Sequence, residues 1–367
     1  MTRREFAKGL AGAAGGLLAT KAARGESPSV QSSSAASEQE GRKVGALTDV
    51  VGLKVGHFTD SRRPTGCTVV LCEEGAVAGV DVRGGAPGTR ETDLLNPVNT
   101  VQQIYGLVLS GGSAFGLDAA SGVMRYLDEK GIGFPIGQAI HVPIVPAAVL
   151  FDLEVGDWKI RPTAESGYEA CKNASSGPIA EGNVGAGAGA TVGKMFGSKF
   201  AMKSGLGTTS IRAGSGGVIV AAMVAANGVG DVYDPSNGAI LVGARSEDGK
   251  GFRNAMKQIR EGYAVSMASM GKNTTLGVVA TNAILTKAEM TKVAQMAQDG
   301  LARTINPVHT PFDGDTVFAL STGTLDARVQ VGAIGALAAE AVSEAVVRAV
   351  VQATGIPGYP SYRDLGK

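Results

Sequence analysis

Cysteine is scarce: Cys67, Cys72 and Cys171 are the only three in 367 residues. An odd set cannot close a complete disulfide framework, even in an oxidising compartment. Cys67 and Cys72 fall within one strand-like stretch, where five steps span roughly 16 Å, beyond disulfide reach. All three are expected as small core residues. Neither sign of charge is in excess, since 34 basic and 33 acidic residues leave a formal net charge of +1. Lysines and arginines alternate with acids and form no basic stripe, which excludes a nucleic-acid partner. Beyond the N-terminal segment no run is long, apolar and uncharged enough to span a bilayer, so no membrane partner is expected. Histidine is limited to His57, His141 and His309, none with a companion at helical metal-binding spacing. His309 precedes Asp313-Gly314-Asp315, so a His-Asp-Asp metal site is conceivable; the competing reading is a turn whose acids face water.

Glycine is what the chain has in plenty: 54 residues, about twice the usual share of ~7%. With Val, Ile, Leu and Ala abundant between them, these glycines point to tight turns and close backbone approaches rather than disorder. The first residues, Thr2-Arg3-Arg4-Glu5-Phe6-Ala7-Lys8 and the small apolar run that follows, read as a twin-arginine signal peptide over 1–24. A flexible spacer rich in Ser, Gln, Glu and Ala follows over 25–43. The mature chain is then expected in the periplasm or outside the cell, with 44–367 as one domain.

Strands are expected at 68–71, 76–82, 106–109, 148–153, 217–225, 239–244 and from Leu276 onward. Ser113 is expected to cap a helix with Leu117, Ala120, Met124 and Leu127 on one face, ending at Gly131. Thr286 and Glu289 form a capping box ahead of Met290, Val293, Ala297 and Leu301. Ile334, Leu337, Ala338, Ala341 and Val342 repeat at helical spacing toward Gly355 and Pro357. Amphipathic helices beside near-continuous apolar strands imply sheets covered by helices on their outer sides, a layered α/β fold.

The chemistry concentrates at Asn273-Thr274-Thr275, at the head of the strand-like run Leu276-Gly277-Val278-Val279-Ala280. If the Asn273–Thr274 bond cuts itself, Thr274 gains a free α-amine beside its own hydroxyl, and one residue supplies both nucleophile and base. Strand side chains alternate faces, so Thr274 and Thr275 cannot both point into one site, and the residues alone do not choose between them. The glycine-rich stretch Gly185 to Lys194 fails as a phosphate loop, with Met195 where Ser or Thr should bind magnesium. It fits a dinucleotide loop only with Ala190 in the last glycine position. Two readings stay open: a tight structural loop, or a loop delivering Lys194 to a site. Ser110-Gly111-Gly112-Ser113 lacks the serine-nucleophile spacing because Phe115 stands where glycine is required. Asn227 ends an apolar run; such a residue usually caps or turns the chain, and a fixed amide there can also serve as an oxyanion donor.

Several stretches in order resemble the L-aminopeptidase/D-esterase (DmpA-type) family, which includes β-peptidyl aminopeptidases and the nylon-oligomer (aminohexanoate-oligomer) hydrolases. They are Gly106 to Leu117, His141-Val142-Pro143-Ile144-Val145-Pro146, Gly182-Asn183-Val184-Gly185-Ala186-Gly187, and Asn273-Thr274-Thr275 through Ala283, within a likeness running from about Leu47 to Tyr359. The resemblance implies a four-layer α-β-β-α sandwich of DmpA/ornithine-acetyltransferase type. It implies a precursor cut at Asn273–Thr274 into chains 44–273 and 274–367 that stay associated, as a tetramer of heterodimers. By the same likeness Thr274 is the nucleophile, Lys194 and Asn227 lie near the reacting carbonyl, and Asp313 and Asp315 orient the nucleophilic amine. Phe151 falls where the family carries an active-site tyrosine, so that hydroxyl is missing; with Ser113 it is placed at the substrate pocket. Threonine and Asp-Gly-Asp, in place of serine and Ser-x-Glu, are similar to the nylon-oligomer branch. The implied activity is hydrolysis of short peptides, amino-acid amides, β-peptides or ω-amino-acid oligomers, with no cofactor and no metal. The alternatives are acyl transfer, as in ornithine acetyltransferases, and an unprocessed binding protein on the same fold.

Overall fold

One strand, Gly66–Val82, organises the computed structural model, which describes residues 45–263, 272–326 and 328–365. The expected signal segment 1–24 and spacer 25–43 lie outside the described residues. The sequence splits the long strand in two because Glu73-Glu74-Gly75 interrupts the apolar run. In the structure its register against Gln103–Ser110 shifts between Leu71 and Ala76, with Gly75 at φ +86°. The interruption is therefore a bulge that bends a continuous strand. Its first half pairs with Lys54–Thr59 and Gln103–Ser110, its second half with Thr316–Ser321.

The bent strand joins two halves of one sheet. On one side the order runs Thr316–Ser321, Leu276–Thr281, Val218–Ala225, Leu206–Ala213; on the other, Gln103–Ser110, Ala147–Val149, Thr89–Arg90. Side-chain alternation then builds the layers. Val70, Leu107, Leu109 and Leu150 of one half pack in a single buried cluster with Ile219, Ala221, Met223, Val278, Phe318 and Leu320 of the other. On the opposite face of the second half, Val220, Ala222, Val224, Val279, Val317 and Ala319 meet the helices Lys287–Thr304 and Val331–Val351. Cys67, Val69, Leu71 and Val108 meet Ala119–Asp128 and Ala164–Lys172 on the outer face of the first half. The result is helix, sheet, sheet, helix, the expected four-layer α-β-β-α sandwich. The described residues from 45 onward form one compact unit. All three cysteines are buried and free, and no helix among the described residues is long and apolar enough to cross a membrane.

The glycine surplus is used at helix crossings. A Cβ on Gly122 would stand 1.7 Å from Ala164 O, and one on Gly167 would stand 1.9 Å from Ala119 O, so the two helices of the first outer layer approach this closely only because both positions are glycine. The Thr286–Glu289 capping box forms as expected. The Ser113 cap does not. Gly112 and Ser113 both take left-handed backbone, at φ +84° and +55°, and Ser113 opens a 3-10 turn, Ser113–Asp118, without a side-chain cap. The α-helix begins only at Ala119. The expected strand 148–153 shortens to Ala147–Val149, because beyond it the Phe151 carbonyl turns away to accept from Asn227 Nδ2. The expected strand 239–244 shortens to Ile240–Val242, in a separate sheet with Asp231–Tyr233 and Ile305–Asn306.

Candidate active site

Leu276–Thr281 and Thr316–Ser321 run parallel with Leu276 opposite Thr316, and the pairing continues upstream to set Asn273 beside Asp313. Three bonds fix this lead-in: Gly314 N donates to Asn273 O at 2.9 Å, Thr316 N to Thr275 O at 3.1 Å, and Thr275 N to Asp315 Oδ1 at 2.7 Å. Alternation then separates the two threonines. Thr274 Oγ1 donates to the carbonyl oxygen of Asn273 at 2.5 Å, while the buried Thr275 hydroxyl has no hydrogen-bond partner. Of the two hydroxyls, that of Thr274 lies against the Asn273–Thr274 peptide.

Lys194 and Asn227 close the other side. Thr274 N donates to Asn227 O at 3.0 Å. Lys194 Nζ donates to Asn227 O at 3.0 Å, to Asn227 Oδ1 at 2.9 Å and to Lys272 O at 2.9 Å, one residue before the candidate scissile carbonyl. Asn227 Oδ1 also accepts from Thr191 N, and Asn227 Nδ2 donates to Phe151 O, both at 3.0 Å. Burial pushes the Lys194 amine down to about 7, against the opposing pull of Asp313, Glu154, Asp152 and Asp315. Gly193, at φ +73°, turns Lys194 into the site, and the glycine-rich loop itself is pinned by Lys203, whose Nζ donates to Gly187 O, Ala190 O and Ser204 O.

Asp313 and Asp315 do not face water; both are buried, which corrects the solvated-turn reading. Backbone and hydroxyl donors from several segments satisfy them. Asp315 Oδ2 accepts from His309 N at 3.0 Å and lies 3.0 Å from His309 Nδ1. Asp313 Oδ2 accepts from Thr310 N at 3.0 Å and Thr310 Oγ1 at 2.5 Å, and its Oδ1 accepts a longer bond from Val229 N at 3.4 Å. Burial, then the neighbouring Asp315, pushes the Asp313 carboxyl up to about 6. His309 is thus a partner of Asp315, and among the described residues no group of three or more His, Cys, Asp or Glu could hold a metal ion.

A cleft of about 430 Å³ opens beside Asn273, with Glu154, Lys194, Phe196, Tyr263, Lys272 and Tyr359 on its walls. Glu154 holds Lys272 Nζ at 2.5 Å and accepts from Ser198 Oγ. Phe151 meets the site through its backbone carbonyl. Ser113 stands further off, its N–H donating to Leu150 O at 2.9 Å, and neither residue lines this cleft. The structure therefore brings together Asn273, Thr274, Lys194, Asn227, Asp313 and Asp315, with Phe151 at the edge. Sequence reasoning passed over Glu154, Thr310 and Gly314 here. It also passed over the buried pair Arg63 and Asp152, in which Arg63 Nη2 meets Asp152 Oδ1 and Thr65 Oγ1 donates to Asp152 Oδ2 at 2.7 Å. A charged residue inside an apolar stretch, as in Ala201-Met202-Lys203, was the available signal for Lys203.

Known proteins resemble this chain over most of its length. The model of peptidase family S58 matches residues 45–363. An uncharacterized aminopeptidase of Mycobacterium tuberculosis is 42% identical over 347 residues, covering 88% of this chain and 98% of its own. A 6-aminohexanoate-oligomer endohydrolase of a Kocuria species is 29% identical over 314 residues, covering 82% of this chain and 84% of its own. The solved L-aminopeptidase D-Ala-esterase/amidase of Ochrobactrum anthropi, described as a variant of the Ntn-hydrolase fold, superposes with a TM-score of 0.62 at 20% identity, over 86% of this chain and 90% of that one. That likeness shows the fold.

Proposed function

The chain belongs to peptidase family S58, and from that premise we propose that it is a self-processing amide hydrolase whose nucleophile is Thr274. The observation that carries the reading is the Thr274 hydroxyl, 2.5 Å from the carbonyl oxygen of its own peptide bond, in a segment bonded on both sides. The hydroxyl attacks the Asn273 carbonyl carbon, the peptide nitrogen leaves with the proton the hydroxyl lost, and water hydrolyses the resulting ester. Thr274 then carries a free α-amine. In turnover its hydroxyl attacks the substrate amide, the α-amine takes that proton and passes it to the leaving amine, and the acyl-enzyme is hydrolysed. Asp313 and Asp315, tied to the backbone at 310, 309 and 275, hold the amine end in register.

The substrate is an amide whose acyl part carries a free amino group: a short peptide, an amino-acid amide, a β-peptide or an ω-amino-acid oligomer. Two things support that class. The relatives are named an aminopeptidase and an aminohexanoate-oligomer hydrolase, and the cleft beside Asn273 already seats an ammonium, that of Lys272, on Glu154. Export through the twin-arginine segment and assembly into a tetramer of processed heterodimers belong to the same proposal. Intact mass spectrometry of the purified protein tests it. Two chains meeting between Asn273 and Thr274 are expected for the native sequence and one chain for Thr274→Ala. A Thr274→Ala chain that still matures into two, or an active native protein that stays in one piece, overturns the reading.

A further inference from the structure

The Asn273 carbonyl oxygen is where negative charge would collect during self-cleavage, and a backbone donor already points at it. We infer that the N–H of Gly314 is the oxyanion donor of this site, first for cleavage of the Asn273–Thr274 bond and then for the substrate acyl group carried by the same Thr274 oxygen. The inference rests on Thr274 being the nucleophile. Gly314 N lies 2.9 Å from the ground-state Asn273 O, and such donors act at about 2.7–3.1 Å from the oxyanion that this oxygen becomes.

Its surroundings keep it there. Asp313 is anchored by Thr310 N and Oγ1, and Asp315 by His309 N and Thr275 N, so the N–H between them is fixed before any charge develops. The residue must also be glycine. A Cβ at 314 would stand 2.7 Å from Thr274 Oγ1 and 2.7 Å from Ala86 O, so no other residue offers its N–H here while leaving room for the hydroxyl. Asn227, which the sequence also offers as an oxyanion donor, has its Oδ1 taken by Lys194 and Thr191 and gives one Nδ2 hydrogen to Phe151 O. It meets Thr274 through its backbone carbonyl, an acceptor, which cannot stabilise an oxyanion.

In the self-cleavage step, Thr274 Oγ1 bonds to the Asn273 carbonyl carbon and the C=O electron pair moves onto the oxygen held by Gly314. Collapse restores the carbonyl and breaks the C–N bond, with the hydroxyl proton finishing on nitrogen. Water then frees the Asn273 carboxylate. A substrate acyl carbon later occupies the position that Asn273 has vacated, on the same oxygen, so its carbonyl faces the same N–H.

Replacing Gly314 by glycolate, a backbone ester, deletes this one N–H and adds nothing to the α-carbon. Self-cleavage should slow about 10²–10³-fold, and kcat of the matured fraction should fall about as far with KM within about 2-fold. Cleavage and kcat both within about 3-fold of the native chain would overturn the inference. A native chain that is never cut defeats the Thr274 reading itself; a native chain that is cut, beside an equally fast ester variant, defeats only the role of Gly314. Should the ester variant fail to fold, the processed native enzyme decides the matter as a crystal structure with a short aminoalkyl boronic acid on Thr274 Oγ1. A boronate oxygen within ~3.1 Å of Gly314 N upholds the assignment. An oxygen turned to Asn227 Nδ2 and away from Gly314 N removes it.

Discussion

Lys194 and Lys203 are alike by every local measure. Both are buried, burial pushes both amines down to about 7, and each donates to three oxygens. They differ in whose oxygens these are. All the acceptors of Lys203 belong to the loop 187–204 beneath it, which no step of the proposed chemistry changes. Lys194 ties Asn227, near the end of one strand, to Lys272 in the segment that self-cleavage would leave with a free end, and it lines the cleft. Four carboxylates pull on Lys194 and one on Lys203. A depressed lysine pKa therefore reports burial in both places, and only the acceptors and the access separate a candidate site from a structural staple.

Substituting both lysines by methionine, similar in length and uncharged, is the sharpest way to break the comparison. Lys194→Met should fold and slow self-cleavage about 10²-fold, the scale of a lost positioning contact at a reacting carbonyl. A time course on a denaturing gel reads this, with circular dichroism confirming the fold. If Lys194 is a staple like Lys203, Tm will fall while folded protein still cuts itself at the native rate. Lys203→Met should show the reverse pattern. Ser204 O loses the donor it has from Lys203, whereas Gly187 O and Ala190 O keep donors from Ala190 N and Ser204 N. The expected cost is about 1–3 kcal/mol of stability, measured by urea unfolding, with little change in cleavage of the folded fraction.

Titration separates the buried groups by sign. Between the folded value of Lys203, about 7, and its ordinary 10.5, the unfolded chain binds more protons, so stability rises as pH increases across that window. Lys194 contributes in the same direction. Asp313 does the opposite: raised from 3.8 to about 6 when folded, it makes the folded chain the better proton binder between those values, and stability falls as pH climbs through them. His57, lowered to about 4 by burial, opposes Asp313 between about pH 4 and 6, so urea midpoints of the uncut Thr274→Ala chain, taken from pH 4 to pH 10, are compared between variants. Adding Lys203→Met should make the midpoint rise less steeply with pH above 7, and adding Asp313→Asn should make it rise more steeply below 6. A Lys203→Met chain whose midpoint follows pH as the parent's does above 7 would contradict the burial of Lys203.

The framework was legible where one segment carries its own signal. Thr286 and Glu289 announce their helix because both halves of the capping box lie three residues apart. The unbroken apolar run within 217–225 announces a strand buried on two faces, as the clusters on either side of it confirm. The long Gly66–Val82 strand was not legible, because its bulge is stabilised by partners on Gln103–Ser110 and Thr316–Ser321, not by anything in Glu73-Glu74-Gly75. Asp313 and Asp315 read as a wet turn for a similar reason: the N–H groups that make their burial tolerable come from 275, 309, 310 and 229. The grouping of Thr274, Lys194 and Asn227 came from family resemblance, since no spacing rule links positions so far apart. Gly314 left no trace at all. Its contribution is a backbone N–H and an empty side, and a sequence records neither.

The smallest expected effect tests what the cleft around Lys194 is for. Glu154 carries charge beside Lys194 but is absent from the influences on Lys203, so a change there should register at one lysine only. Its ion pair with Lys272 is partly open to water, with side chains 37% and 34% exposed, and a substrate ammonium taking the place of Lys272 would be held no more strongly. Glu154→Gln should therefore raise KM for substrates with a free amine only about 2–5-fold, corresponding to the ~0.5–1 kcal/mol of a part-exposed pair. Turnover at saturation should be unchanged, as should KM for an N-acetylated ester substrate. Loss of the carboxylate also withdraws one of the charges that favour protonated Lys194, so that amine should titrate lower still while Lys203 keeps its value. Equal changes in KM for amine-bearing and acetylated substrates would mean that Glu154 shapes the cleft without reading the substrate's charge, and the cleft wall would then resemble the Lys203 loop after all.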